Sequence, residues 1–400
     1  MLATSEAYLR LSAVQGELTA LRRELHAMPE LGFQETRTAA RVVEALRLCG
    51  VDELHTGIGR TGVVALIHGR GGAGGRQLGL RADMDALPLQ EDNDFAWRSG
   101  TPGLMHACGH DGHTAMLVGA ARYLAQTRRF DGTAVLIFQP GEEGYAGARE
   151  MIQDGLFERF PVEAVYAMHN WPQMPAGQIG LNRGAMMAAA DQVDIVLEGR
   201  GGHGAHPHLA VDPVLMAGHV ITAAQSLVSR NVAPLDQAVV SLCSMRAGDP
   251  GAFSVIPREA RLTGTVRSFR PEVQQLIEQR LAELVQALAQ GFGGSATVDY
   301  KRLYPATINT PREADFAAEV ATRLVGADKV NRELPPSMGS EDFSFMLQVK
   351  PGAYLRLGQG RAGAENCGLH NPRYDFNDEV LPLGAALFAS LIEQGLPSAA

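Results

Sequence analysis

Four hundred residues exceed what one hydrophobic core usually organises, so the length favours two domains, or one large α/β domain carrying an insertion. Hydrophobic residues make up 46% and charged residues 20%, which excludes a disordered chain. A formal charge of −9, with the 35 Lys and Arg scattered, carries no electrostatic footprint of a nucleic-acid or anionic-lipid binder and leaves small molecules or protein as partners.

The longest apolar runs, such as 134–138 and 186–190, fall far short of the ~20 residues that cross a bilayer, so no membrane span is expected. Glu6 and Arg10 stand where a signal peptide would need its apolar stretch, and the expected residence is cytoplasmic. Cys49, Cys108, Cys243 and Cys367 are too few and too widely spaced for a disulfide framework; they read as free thiols or metal ligands.

Val14, Leu18, Leu21 and Leu25 recur at helical spacing, and after the turn Pro29-Glu30-Leu31-Gly32 a second helical stretch (Ala39, Val42, Val43, Leu46) ends before Gly50. Four short apolar runs, 63–67, 78–80, 134–138 and 164–168, read as buried strands, with a helix over 113–125 between the second and third. Alternating strands and helices predict an α/β domain with a mostly parallel sheet. After Gly184 the texture changes: alternating stretches at 192–197, 238–242 and 261–266, with helical patterns at 213–229 and 272–290, predict a smaller α+β module. A strand at 296–301 and a helix over 313–325 follow, and α/β patterning resumes. The expected organisation is a catalytic domain formed by 1–183 and 300–400, interrupted by an inserted α+β domain over 184–299.

Chemistry concentrates in Met105-His-Ala-Cys-Gly-His-Asp-Gly-His113, where three histidines and Cys108 fall within a few residues. Cys108 and His110, two apart in a glycine-containing turn before a helix, can offer a thiolate and an imidazole to one borderline ion such as Zn²⁺. Alone, this pair is better read as a core cysteine beside a surface histidine. Three predicted strands add to it, because 78–80 leads to Asp83, 134–138 to Glu142-Glu143 and 164–168 to His169. In open α/β sheets, sites form beyond the carboxyl ends of the strands. Adjacent carboxylates in a loop point in different directions, so one can ligate a metal while the other handles protons. Asp83 is placed to orient a ligand.

The motifs GLRADMDALP, MHACGHDGHTAM, FQPGEEG, GGHGAHPHLAVDP, PPSMGSEDFSFM and LHNPRYDFND, in this order from roughly residue 20 to 390, resemble the M20 metallopeptidase family. More narrowly they resemble its amidohydrolase branch of hippurate hydrolases, aminoacylases and indole-3-acetyl-amino acid hydrolases. The resemblance implies two divalent ions per subunit held by Cys108 (as bridge), His110, Glu143, His169 and His370, with Glu142 as general base. It implies hydrolysis of N-acyl or N-aroyl amino acids and an inserted domain that serves as lid and dimerisation module, in a homodimer or dimer-based tetramer. It further implies that His203 reaches the partner subunit's site and that Arg267 holds the substrate carboxylate; a mid-strand salt bridge is the plain alternative for Arg267. Zn²⁺ suits thiolate and imidazole, and Mn²⁺, Co²⁺ or Ni²⁺ is compatible with the mixed donors. His106 and His113 read as supporting groups, Glu341 as a support through its loop, and His206 and His208 as surface or structural residues. Ser254 stands where the family usually has Asn. Two other classes stand beside it: a metal-free hydrolase with Cys108 as nucleophile, which leaves the two glutamates, His169 and His370 without work, and a non-catalytic binder on the same fold, against which the complete ligand set and Glu142 argue.

Overall fold

The computed structural model describes residues 5–72, 75–363 and 366–398, which form two compact units. The first comprises residues up to Met186, Thr307–Pro335 and Asp342 onward; the second comprises Met187–Ala306 and Pro336–Glu341. Among the described residues no helix is long and apolar enough to cross a membrane.

The first unit opens with three helices, α1 (Glu6–Ala13), α2 (Gln15–Ala27) and α3 (Thr36–Cys49), one more than the periodicity predicts. Helix α1 escapes the pattern because it buries only Ala7 and Leu11. Glu30 starts α3: its carboxylate accepts the Thr38 N–H at 2.8 Å, meeting a donor that the first turn cannot satisfy internally. Strands β1 (Glu53–Ile58), β2 (Gly62–His68) and β3 (Gln77–Asp83) follow, then α4 (His110–Thr127), β4 (Thr133–Gln139) and β5 (Ala164–Pro175). The sheet order is β1-β2-β4-β3-β5, continued by the strand Gly352–Gly360 and two short strands. From β4 to Gly352–Gly360 all pairing is parallel, and β1 and β2 form an antiparallel edge. Strands β2 and β4 are buried almost throughout, as expected of runs covered on both faces. Helix α4 packs with helix Leu381–Gly395.

Strand β5 does not stop at Met168. Its pairing with β3 ends at Arg81↔Ala167, while its pairing with Gly352–Gly360 continues through Arg356↔His169. His169 therefore lies beyond the pairing with one neighbour, level with Asp83, while the other holds its backbone.

The second unit is a four-stranded antiparallel sheet in the order 238–247, 259–268, 189–198, 295–304, with helices Pro213–Ser226 and Pro271–Gly291. Alternate residues Val193, Ile195 and Leu197 join Met216, Val220, Leu281 and Val285 in its core. The strand Ser295–Tyr304 pairs with 189–198 and so belongs to this unit.

Candidate metal centre

Three strand ends and one helix start build the centre. Gly109, at φ +91°, makes the turn into α4, and a Cβ there would lie 2.4 Å from Asn170 Oδ1 and 2.5 Å from the Tyr374 hydroxyl, so only glycine lets the Cys108-His110 turn settle against β5. Cys108 Sγ lies 3.4 Å from His169 Nε2. The ligand atoms of Cys108, His110 and His169 fall within 4.8 Å of one another, and those of Cys108, Glu143 and His370 do the same. Cys108 is common to both triads. His370 arrives from the far end of the chain because its N–H donates to the Ala107 carbonyl at 2.8 Å; its Nε2 is 3.1 Å from Glu143 Oε1.

Ring orientation decides which nitrogens are free. His169 Nδ1 is 2.7 Å from the Asn170 carbonyl, and His110 Nδ1 is 2.9 Å from the Asp85 carbonyl. A carbonyl can only accept, so each Nδ1 carries the proton and each Nε2 presents a lone pair. His110 Nε2 is buried with no hydrogen-bond partner among the described residues. A buried, outward-facing imidazole lone pair beside a thiol and carboxylates fits a divalent ion, and anchoring of the opposite nitrogen is how ligating histidines are usually held.

Asp83 meets His113 Nδ1 at 2.5 Å and Arg81 Nη1 at 2.8 Å, and it lies 3.7 Å from His110 Nε2. The residue that orients His110 is Asp85, which also accepts the Glu143 N–H at 2.9 Å. Two residues apart on extended backbone share a face, a signal that the sequence carried for both aspartates. His113 spans Asp83 and Asn170 with its two ring nitrogens, whereas His106 is buried without a hydrogen bond among the described residues.

Both glutamates reach His110, their ligand atoms and its own lying within 4.8 Å of one another; Glu143 also joins Cys108 and His370, whereas Glu142 Oε1 accepts the Asp342 N–H at 3.4 Å. Asp342 is itself fixed by Arg81 at 2.9 Å, Gln139 at 2.8 Å and the Ala148 N–H at 2.9 Å. The loop is pinned from the other side by Glu35, whose carboxylate accepts the Gly141 N–H at 2.8 Å and the Thr61 hydroxyl at 2.6 Å. Asp342, Arg81 and Glu35 were not legible as site residues, since they act through bonds between distant segments.

Burial, then the charges of Glu143 and Glu142, push the Cys108 thiol well up. Burial disfavours positive charge on His110, but Asp83 and Asp85 outweigh it and favour such a charge, which a bound divalent ion would supply in place of an Nε2 proton. Burial lowers His169. The carboxylates thus make a strongly cation-seeking pocket.

In the second unit, His203 is exposed on a short strand paired with Val255, and its Nδ1 accepts the Ala205 N–H at 3.0 Å, leaving Nε2 as a donor. The Ser254 carbonyl accepts the Gly204 N–H at 2.7 Å and so braces the same turn. His206 and His208 are exposed neighbours. Arg267 is half-buried on the strand 259–268, with Nη1 unpartnered. Burial lowers its pKa, and no carboxylate among the described residues forms the salt bridge held open as its plain alternative. Glu341 is buried and belongs to this unit.

Thiol, imidazoles and carboxylates at the carboxyl ends of a parallel sheet define a metal-dependent hydrolase. The chain belongs to peptidase family M20/M25/M40, which matches residues 79–394, and it is a hydrolase acting on amide bonds. It is 42% identical over 378 residues to the hippurate hydrolase of Campylobacter jejuni subsp. jejuni, covering 94% of this chain and 96% of that one. It is 38% identical over 380 residues to the N-acetylcysteine deacetylase of Bacillus subtilis, covering 95% and 97%. Among solved structures, the Bacillus subtilis YXEP protein, described as a dinuclear metal binding peptidase from the M20 family, superposes with a TM-score of 0.82 at 35% identity, covering 96% and 99%.

Proposed function

We propose that this enzyme hydrolyses N-acyl or N-aroyl amino acids with two divalent ions, held by Cys108, His110, Glu143, His169 and His370, and with Glu142 as general base. The observation that carries the reading is the pair of donor triads sharing Cys108, with Glu142 beside them, within reach of His110 and Glu143 and in contact with the Asp342 N–H. The ions, when bound, supply Lewis acidity that activates water and polarises the scissile carbonyl. Glu142 takes the proton of the attacking water and returns it to the leaving nitrogen. Arg267 offers a guanidinium fork to the substrate carboxylate. Thiolate with imidazole favours Zn²⁺, and Mn²⁺, Co²⁺ and Ni²⁺ are the alternatives to load. Four free cysteines accord with a reducing, cytoplasmic setting.

Chelation is expected to abolish turnover, and a divalent ion to restore it; hydrolysis of acetyl, benzoyl and indoleacetyl amino acids after loading each metal identifies substrate and ion together. Full activity in a rigorously metal-free preparation would point to Cys108 as nucleophile. Against that mechanism stands the rest of the cluster, since a nucleophilic thiol would leave Glu142, Glu143, His169 and His370 without work.

The His203 donor completes the site of the partner subunit in a homodimer. His203→Ala is expected to lower kcat by ~10²- to 10³-fold with metals retained, as for loss of an oxyanion donor. Mixing His203→Ala with Glu142→Gln subunits then regenerates one intact site per mixed dimer, approaching about a quarter of wild-type activity under random exchange. No recovery in dimers shown to have mixed would mean that His203 acts within its own chain or not at all.

A further inference from the structure

At the amino-terminal ends of the strands, where β3 begins at Gln77 and β5 at Ala164, lies a cleft of about 350 Å³. Five residues of β3 separate Leu78 from Asp83, about 17 Å at 3.3 Å per residue, so this cleft is distinct from the metal centre. Its volume falls in the range of small-molecule sites.

Its wall contains a carboxylate oxygen that the fold does not use: Glu313 is only 9% exposed, and its Oε2 is buried with no hydrogen-bond partner among the described residues. As the third residue of the helix Pro311–Val325, it stands where a glutamate ordinarily reaches back to the N-cap backbone N–H. Here that bond is pre-empted: the Thr310 N–H donates to the Gly352 carbonyl at 2.9 Å, and the Thr310 hydroxyl accepts the Gly352 N–H at 3.1 Å. A buried carboxylate oxygen without a donor is costly, and buried polar atoms are rarely left so.

The surroundings select what would satisfy it. Tyr166 and Phe316 line the cleft with ring centroids 5.9 Å apart, and Leu78 adds apolar surface. Tyr166 and Glu313 line the same cleft, and burial and the Glu313 charge both raise the Tyr166 phenol. At the rim, Arg76 is engaged by Glu163 at 2.9 Å and by the Gly395 carbonyl at 3.0 Å. Arg312, also lining the cleft, has no hydrogen-bond or ion-pair partner among the described residues. A buried anion, an aromatic wall and a free cation at the rim are complementary to a zwitterion with an apolar side chain.

We propose that this cleft is a second small-molecule site that binds a free α-amino acid with an apolar side chain, its ammonium on Glu313, its side chain against Tyr166, Phe316 and Leu78, and its carboxylate on Arg312. The site is independent of the hydrolytic reading, although such amino acids are of the class that reaction would release.

The test is calorimetric titration of the full-length, metal-loaded protein with L-phenylalanine, phenethylamine and 3-phenylpropionate. L-Phenylalanine is expected to bind saturably, and Glu313→Gln to weaken it about tenfold or more, the usual loss for a hydrogen bond to a charged group. Arg312→Ala, at an exposed position where folding is not at risk, should weaken L-phenylalanine but leave phenethylamine unchanged. 3-Phenylpropionate should show no Glu313-dependent binding. Because Glu313→Gln removes an unpaired buried charge, its unfolding midpoint should stay level or rise. No saturable binding to wild type, or binding that both variants leave unchanged because the amino acid sits only at the metal centre, overturns the proposal. No turnover is measured, so failure of the hydrolase reading would be seen separately.

Discussion

Glu142→Gln is expected to lower kcat by ~10²- to 10⁴-fold while metal stoichiometry holds, the loss typical when a general base is replaced by an isosteric amide. The geometry supports this division of labour between neighbours. Glu143 lies with Cys108 and His370, and its N–H is held by Asp85. Glu142 instead meets the Asp342 N–H, a donor that the glutamine oxygen can still use, so the loop should keep its shape in the variant. Metal analysis beside steady-state kinetics on each N-acyl substrate checks both halves. Loss of one ion together with activity would mean that Glu142 is the ligand and Glu143 the base.

The parts of the fold legible in the sequence are those in which burial writes a simple pattern. Strands β2 and β4 are covered on both faces and so read as apolar runs, and α4 shows its buried face because almost every residue of its first four turns is enclosed. The strand Gly352–Gly360 is as buried as either, yet its sequence GAYLRLGQG mixes glycine, Arg356 and Gln359 among the apolar residues, so it presents neither an apolar run nor an alternation. Strand β1 is half exposed and carries Glu53 and His55, which hides it for the opposite reason.

The same contrast holds at the centre. Cys108, His110 and the glutamate pair announce themselves because chemistry and proximity coincide within a few residues. Asp85, although in plain view beside Asp83, could be assigned to His110 only once the Nδ1 contacts were known. Glu35 and Asp342 fix the Glu142 loop across 106 and 200 residues of sequence, and such bonds leave no local trace.

Arg81 gives the second large effect, on stability. It is 2% exposed and donates from Nε to Gln139 at 2.8 Å, from Nη1 to Asp83 at 2.8 Å and from Nη2 to Asp342 at 2.9 Å. One guanidinium thus neutralises two buried carboxylates that serve opposite sides of the centre: Asp83 holds His113, and Asp342 presents its N–H to Glu142. Arg81→Met keeps much of the volume but strands both charges, and removing one partner of a buried ion pair typically costs about 3 to 5 kcal/mol, because the remaining charge is left without compensation. In urea, the unfolding midpoint should fall with little change in slope, since the surface exposed on unfolding is nearly the same. Arg81→Lys supplies charge without the planar fork and can satisfy fewer of the three acceptors, so it should fall between the two. The measurement belongs on metal-depleted as well as metal-loaded protein, because bound ions stabilise the folded state by mass action and would mask part of the loss. An Arg81→Met protein as stable as wild type in both states would mean that Asp83 and Asp342 do not depend on Arg81 for their charge balance, and that the coupling between the two sides of the centre runs through other groups.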